Sequence, residues 1–135
     1  MDVEISTDPN RLDVATIHQF LSENAYWAKG RSLETVRRSI DHSLCFGAFV
    51  DGQQAGFARV VTDYTTFAWV ADVFVPEGYR GQGVGKALVQ AMIDHPDLRQ
   101  LRILLATRDA HGLYAQYGFE PVAPDRYMQR PRPSP

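Results

Sequence analysis

The chain has 135 residues, of which 44% are hydrophobic and 11% aromatic, with 14 basic and 16 acidic side chains. This length suits one domain with a single packed core. The formal net charge of −2 argues against nucleic acid as a partner, because general nucleic-acid binding requires a basic surface. We therefore expect a single domain over residues 1–130 and a disordered, proline-rich tail over residues 131–135.

The sequence lacks a disulfide pair, a signal peptide and a membrane-spanning run, and these features predict the cellular compartment. The only cysteine, Cys45, lies in the apolar run LCFGAFV, so no intrachain disulfide can form. The first residues, MDVEISTD, have neither the basic region nor the apolar stretch of a signal peptide. No run approaches the roughly 18 apolar residues that a membrane-spanning helix needs. These features predict a soluble, cytoplasmic protein without a membrane partner.

The first half of the chain predicts a strand, two helices and three antiparallel strands. Residues 3–6 form the first strand, and Pro9 begins a helix whose apolar residues recur at helical spacing as far as Leu21. A second helix follows Ser32. Two β-rich runs flank Asp51-Gly52, which is typical of a tight hairpin, and FAWVADVFV (67–75) adds a third strand.

The second half alternates helices with strands. We expect a helix over residues 84–94, a strand at RILLAT (102–107) and a short helix over residues 110–117. FEPV (119–122) and RYMQR (126–130) then close the chain as two further strands. The order predicts an α/β (α+β) fold with a mostly antiparallel sheet and one right-handed parallel crossover.

A glycine-rich segment, RGQGVGK (80–86), separates the third strand of the meander from the next helix. A Walker A loop would require glycine at Arg80 and Ser or Thr at Ala87, and a dinucleotide fingerprint would require glycine at Lys86. Both patterns fail, which disfavours a nucleotide-binding P-loop. The remaining pattern, R-x-x-G-x-G, places unhindered amides at a helix N-terminus, where a pyrophosphate binds. The alternative is a plain glycine-rich turn, although each glycine costs about 0.5–1 kcal/mol in a helix.

Two motifs resemble those of one enzyme family. V-x-V-P-x-x-Y-R-G-Q-G-V-G-K-A-L (73–88) is similar to the acetyl-CoA-binding motif of the GNAT family of N-acetyltransferases, and A-x-x-L-Y-A-Q-Y-G-F (110–119) resembles its C-terminal motif. The resemblance implies a GNAT-like fold for the acetyltransferase domain. That fold has a mixed, mostly antiparallel six- to seven-stranded sheet, about four flanking helices and a splayed central pair of parallel strands.

The same resemblance implies acetyl-CoA as co-substrate and direct transfer of its acetyl group to a primary amine of a small molecule or protein. It implies no metal, and the four histidines show no ligand spacing. It makes the Val73 N–H the group that polarises the thioester and Tyr114 the acid that protonates the leaving thiolate. Tyr114 is otherwise an aromatic core residue of a short helix. The residues implied to hold the cofactor are Val73, Phe74, Val75, Arg80, Gly81, Gln82, Gly83, Val84, Gly85, Lys86, Asp109 and Tyr114.

Asp72 interrupts an otherwise apolar strand, and strict alternation places it on the face of Val70 and Phe74. Its position resembles an acidic site in polyamine acetylases of the family, which carry two adjacent acids where this chain has Ala71. Asp72 is therefore a candidate to bind or deprotonate the amine. Alternatively, it forms an ion pair with an arginine such as Arg59, because an unpaired buried carboxylate is costly.

The acceptor side has five candidates, which lie in the loops after the first helix and between the strands of the meander: Tyr26, Trp27, Arg31, Asp63 and Tyr64. Tyr26 and Trp27 either line a substrate pocket or pack beneath the helices. Asp63 and Tyr64 are the candidates from the TDYTT turn.

Two functions compete for these features, an N-acetyltransferase and a non-catalytic acyl-CoA sensor. Only the transferase needs an acid at Tyr114. The sequence leaves open whether the protein is a monomer or a homodimer.

Overall fold

The computed structural model describes residues 2–133, which form five β-strands and four α-helices. In chain order these are β1 Glu4–Ser6, α1 Val14–Asn24, α2 Leu33–Asp41, β2 Leu44–Val50, β3 Gln53–Thr62, β4 Phe67–Phe74, α3 Val84–Asp94, β5 Arg102–Leu105 and α4 His111–Ala115. The predicted order is confirmed from the first strand to α4. In residues 2–133, no helix is long and apolar enough to span a bilayer.

The first helix begins later than the sequence predicts. Pro9–Arg11 forms a separate 3-10 turn, for which the Asp8 side chain accepts a hydrogen bond from the Asn10 N–H. Helix α1 starts at Val14, because the Asp13 carboxylate caps the Thr16 N–H at 3.1 Å. The chain has two N-terminal caps in close succession, and the second one sets the start of the helix.

The strands form one sheet in the order β1-β2-β3-β4-β5, antiparallel except for the parallel pair β4–β5. The hairpin between β2 and β3 turns at Asp51 and Gly52, whose φ angles are 51° and 77°. Two successive left-handed residues are what a twisted two-residue hairpin requires, so the predicted hairpin is confirmed.

The sheet has five strands, not the expected six or seven. Neither FEPV nor RYMQR forms a strand, and residues 120–133 are exposed. Pro121 and Pro124 explain part of this, because proline has no N–H to donate to a ladder, and RYMQR then has no hairpin partner. The pair β4–β5 therefore lies at the sheet edge rather than its centre. Residues 131–133 of the predicted tail have no regular structure, and residues 134–135 lie outside the described residues.

A β-bulge in β4 changes which residues share a face. Arg59 pairs with Asp72, whereas the next residue, Val60, pairs with Val70, so Ala71 is an extra residue. Since Arg59 and Val60 point to opposite faces, their partners do too. The prediction that Asp72 shares a face with Val70 is wrong, because alternation assumes an uninterrupted strand. Asp72 does share the face of Phe74.

The two faces bury separate clusters. Phe74 belongs to the cluster formed with α1 and α2, together with Phe57 and the buried Cys45, whereas Val70 packs with α3 on the other face. Burial raises the pKa of the Cys45 thiol to about 12, so this side chain is an unreactive part of the apolar core. Helix α3 lies close to β3 because Gly56 has no side chain: a Cβ there would lie 2.8 Å from Val84 Cγ1.

Candidate active site

The parallel strands β4 and β5 part within the sheet. Their pairing ends at Val70 opposite Leu105, while β4 continues to Phe74. Beyond this point the β4 edge has no partner strand among the described residues, and a cavity of about 350 Å³, which we call the gap cavity, opens beside it. Its lining residues come from the α1–α2 loop, both strands and α4: Tyr26, Trp27, Trp69, Val70, Ala71, Val73, Leu105, Ala106, Thr107, Asp109, Ala110 and Tyr114.

A second cavity of about 410 Å³, the loop cavity, lies over the start of α3. Most of its lining belongs to the glycine segment and the residues just before it: Val75, Tyr79, Arg80, Gly81, Gly83, Val84, Gly85, Lys86 and Leu113. Val75 follows Phe74, the last residue of β4, so the two cavities flank the same strand end.

The glycine segment leaves its amides free. Gly81 and Gly83 have φ angles of 79° and 83°, a left-handed conformation that glycine adopts without strain, and Gly83 is the N-cap of α3. In residues 2–133, no backbone carbonyl accepts a hydrogen bond from the N–H groups of residues 81–86, and the first bond of the helix is Ala87 N–H to the Gly83 carbonyl at 2.9 Å. These N–H groups and the positive end of the helix dipole provide an anion site.

The side chains at this loop suit a large anionic ligand. A Cβ on Gly85 would lie 3.9 Å from both Val75 Cγ2 and Leu113 Cδ2, so it would occupy the floor of the loop cavity without a clash. Lys86 and Arg80 add positive charge at its wall. The Arg80 Nε donates a 3.0 Å hydrogen bond to the Val75 carbonyl, which holds this side chain against the end of β4. The site therefore fits a diphosphate both in charge and in the space left by glycine.

Tyr114 lines the gap cavity and is also part of the core. It is 8% exposed, and its ring packs edge-on against Phe119 with centroids 5.5 Å apart. Burial raises the pKa of the Tyr114 phenol above its ordinary value, so the hydroxyl keeps its proton at neutral pH. The two interpretations of Tyr114, acid and core aromatic, are compatible in this geometry.

Asp72 is 1% exposed and accepts hydrogen bonds from three side chains. Trp27 Nε1 donates at 2.7 Å, Arg31 at 2.9 Å and Arg59 Nε at 2.8 Å. Burial raises the pKa of the Asp72 carboxyl, but the hydrogen bonds and charges of these partners outweigh it and hold that pKa below its usual range. The ion pair between Asp72 and Arg59 is the alternative that the sequence left open. Arg31 and Trp27 donate to the same Asp72 carboxylate.

Tyr26 and Trp27 both line the gap cavity, with their rings edge to face and 5.2 Å between centroids. The Arg108 guanidinium lies over the Tyr26 ring at 3.7 Å from its centroid. This contact connects the α1–α2 loop with the segment after β5. Both expectations apply to Trp27, which lines the cavity and also packs against the cluster buried by α1 and α2, whereas the exposed Tyr26 agrees with the pocket wall.

The other acceptor candidates lie elsewhere. Asp63 caps its own turn, where its carboxylate accepts from the N–H groups of Thr65, Thr66 and Phe67, and neither it nor Tyr64 lines the gap cavity.

Asp109 lines the gap cavity but does not cap α4, whose N-cap is Ala110. No cluster of three or more potential metal ligands occurs in the described part of the chain.

Sequence reasoning missed several lining residues. Tyr79 and Leu113 line the loop cavity, and Trp69 and Thr107 line the gap cavity. Trp69 could have been predicted from strand alternation. It lies between Ala68 and Val70, so its side chain points to the opposite face of the sheet from theirs, close to where the β4–β5 pairing ends. No local sequence pattern indicates that Leu113 lines the loop cavity, because its contact with the glycine segment joins distant parts of the chain.

Comparisons with known proteins agree with this geometry. The model of the acetyltransferase (GNAT) family matches residues 14–119. A solved Xanthomonas campestris structure described as belonging to the GNAT family is 54% identical, covers 98% of this chain and 95% of its own, and superposes with a TM-score of 0.94. Streptothricin acetyltransferase of Escherichia coli is 27% identical over 90% of this chain and 75% of its own. Spermine/spermidine N(1)-acetyltransferase of Bacillus subtilis is 21% identical over 89% and 88%.

Proposed function

Because the chain belongs to the acetyltransferase (GNAT) family, we propose that it is an N-acetyltransferase that uses acetyl-CoA to acetylate a primary amine. The acceptor is a small molecule or a protein amine, and the amine attacks the thioester directly. The observation that carries this proposal is the set of free N–H groups at residues 81–86, beside a strand edge without a partner. Acetyl-CoA supplies an acetyl group activated as a thioester.

The glycine segment would hold the cofactor's diphosphate. No carbonyl within residues 2–133 accepts a hydrogen bond from the N–H groups of residues 81–86, and the glycine at position 85 leaves space in the loop cavity. Lys86 and Arg80 would add charge from the wall. The β4 edge at Val73 and Phe74, together with Val75 just after it, would bind an extended ligand through backbone groups, as an added strand does, except for the Val75 carbonyl, which already accepts from Arg80 Nε. We assign Val73 N–H as the donor to the thioester oxygen.

As the amine nitrogen bonds to the acetyl carbon and the C–S bond breaks, the nitrogen would lose a proton to solvent water, and Tyr114 would protonate the leaving thiolate. Tyr114 lines the gap cavity, and its raised pKa keeps the proton available. Asp72 would be a positioning residue and not the base, because its carboxylate is buried, has a lowered pKa and is engaged by three donors. Its role would be to hold Trp27 at the cavity wall.

The test is a panel of primary amines incubated with acetyl-CoA and the purified full chain, with release of the free thiol measured and the acetylated amine identified by mass spectrometry. The proposal expects amine-dependent release of one thiol for each acetylamine formed. Tight binding of acetyl-CoA without acetylation of any amine would instead support the sensor. Failure to bind acetyl-CoA would contradict both functions.

A further inference from the structure

We infer that the acceptor is a monoamine, with one ammonium group on an apolar, preferably aromatic, body, and not a polyamine or another polycation. This inference rests on the proposed function and concerns the gap cavity. It follows from three features of the described residues: the aromatic walls of the cavity, the single carboxylate that lines it, and the arginines bound to Tyr26 and Asp72 next to its aromatic wall.

Aromatic rings form much of the wall. Tyr26 and Trp27 contribute from the α1–α2 loop and Trp69 from β4, while the rest of the lining is largely Ala, Val and Leu. Such surfaces bind an apolar or aromatic body, and ring faces also attract one ammonium group. A long polar chain would gain little from these walls.

Only one carboxylate is placed to receive an ammonium group. Asp109 is the sole acidic residue among those that line the gap cavity in the described chain. The Asp72 carboxylate lies beneath Trp27 and is already engaged by two guanidiniums and the indole. The Asp63 carboxylate is engaged within its own turn. The lining of the gap cavity can therefore neutralise one positive charge on its ligand, and within residues 2–133 it contains no second carboxylate.

No arginine is among the residues that line the gap cavity in the described chain, but three arginines are attached to its aromatic wall, Arg108 through Tyr26 and Arg31 and Arg59 through Asp72 and Trp27, and they disfavour additional positive charge. Arg31 and Arg59 share the single charge of Asp72, which leaves one guanidinium charge uncompensated within this buried cluster. Arg108 covers one face of Tyr26. A second ammonium group on the acceptor would approach these like charges, and a positive surface repels a polycation before it binds. The cavity volume of about 350 Å³ also favours a compact acceptor.

The B. subtilis relative is named for spermine and spermidine, which are flexible chains with several ammonium groups. The single carboxylate in the lining of the gap cavity does not match such a ligand.

The experiment compares 2-phenylethylamine with spermidine by kcat/KM at one pH. We expect the monoamine to be favoured at least tenfold. Arg108→Glu should raise the relative use of spermidine at least fivefold, because it replaces a repelling charge with an attracting one. Arg102→Glu is the matched control: Arg102 also lies over a tyrosine ring, but that ring, Tyr127, lines neither cavity, whereas the Tyr26 ring under Arg108 lines the gap cavity. This variant should leave the ratio unchanged. Equal or better use of spermidine overturns the inference, as does a ratio that responds equally to both variants.

Intrinsic fluorescence separates this inference from the proposed function. The chain has two tryptophans, Trp27 and Trp69, and both line the gap cavity, so their emission reports directly on occupancy by an amine. Saturable quenching by 2-phenylethylamine at concentrations at which spermidine has no effect supports the inference even if no acetyl group is transferred, and only the proposed function then fails. Acetylation that prefers spermidine leaves the proposed function intact and overturns the inference alone.

Discussion

The indole N–H of Trp27 donates a 2.7 Å hydrogen bond to the buried carboxylate of Asp72. This bond connects the loop between α1 and α2 to β4, one residue before Val73, whose backbone we assign to the thioester. The same carboxylate binds Arg31 from that loop and Arg59 from the neighbouring strand. The position of one wall of the gap cavity therefore depends on a buried ion cluster, which gives Asp72 a structural role next to the chemistry.

Replacing Trp27 with Phe should impair acceptor binding selectively. The variant keeps an aromatic ring but loses the hydrogen bond to Asp72, worth about 1.5–3 kcal/mol for a bond to a charged group. We expect a higher KM for the amine and an unchanged Kd for acetyl-CoA, as measured by steady-state kinetics and calorimetry. Tyr26→Phe is the control, because it keeps both the ring and the hydrogen bond to Asp72. Equal changes in KM for the amine and Kd for acetyl-CoA would contradict this role.

Asp72→Asn should destabilise the fold and change its pH dependence. Two partly buried guanidiniums lose their counter-charge, and breaking such a pair costs about 3 kcal/mol or more. Because the pKa of Asp72 is lower in the folded state than its ordinary value of about 3.9, its contribution is present above that pH and is lost as the pH falls through the folded-state pKa. The free energy of unfolding, measured in urea, should therefore differ less between pH 6 and pH 3 for the variant than for the wild type. An equal difference for both proteins would mean that the cluster contributes no stability.

Tyr114→Phe should reduce kcat about a hundredfold, the lower range for loss of a general acid, while the Kd for acetyl-CoA stays near its wild-type value. The pKa of Tyr114 is raised, so its proton remains available until the pH exceeds the ordinary phenol value of about 10. Wild-type kcat should consequently fall only above that pH. Tyr117→Phe serves as control, since Tyr117 lines neither cavity. Unchanged turnover in Tyr114→Phe would remove the acid assignment.

Gly85→Ala should slightly raise the free energy of unfolding while it weakens the binding of acetyl-CoA. Alanine is favoured over glycine in a helix by up to about 1 kcal/mol, and its Cβ would meet only ordinary contacts at 3.9 Å, so unfolding should shift slightly toward greater stability. The same methyl group would fill the floor of the loop cavity and weaken acetyl-CoA binding. Gly112→Ala in α4 is the matched control, with no atom near its Cβ and no place in either cavity lining. If Gly85→Ala binds acetyl-CoA with unchanged affinity, the diphosphate binds elsewhere.

Features with a local cause could be predicted from the sequence. The Asp51-Gly52 hairpin and the turn through Gly81 and Gly83 depend on left-handed residues, and the positive φ angles at these positions agree with that requirement. The cap at Ser32 likewise follows from a side chain that reaches its own helix: its hydroxyl accepts from the Thr35 N–H at 3.1 Å. Such features need only a few neighbouring residues.

Features with a distant cause could not be predicted. Asp72 meets Trp27 and Arg31 across 45 and 41 residues, and no local pattern indicates those contacts. The bulge at Ala71 depends on how β4 pairs with β3, so an alternation pattern read along one strand cannot show it. The two C-terminal segments have a strand-like pattern, but the prolines at 121 and 124 cannot donate to a strand ladder, and neither segment forms a strand.

The central claim is that the N–H groups of residues 81–86 bind the diphosphate of coenzyme A. Nuclear magnetic resonance on this 15.2 kDa chain tests it most directly, through the amide signals of these residues during titration with acetyl-CoA. The account predicts saturable downfield shifts and slower hydrogen exchange for these amides, because a phosphate oxygen replaces water as their acceptor. Saturable binding that leaves the amides of residues 81–86 unshifted and freely exchanging would contradict it.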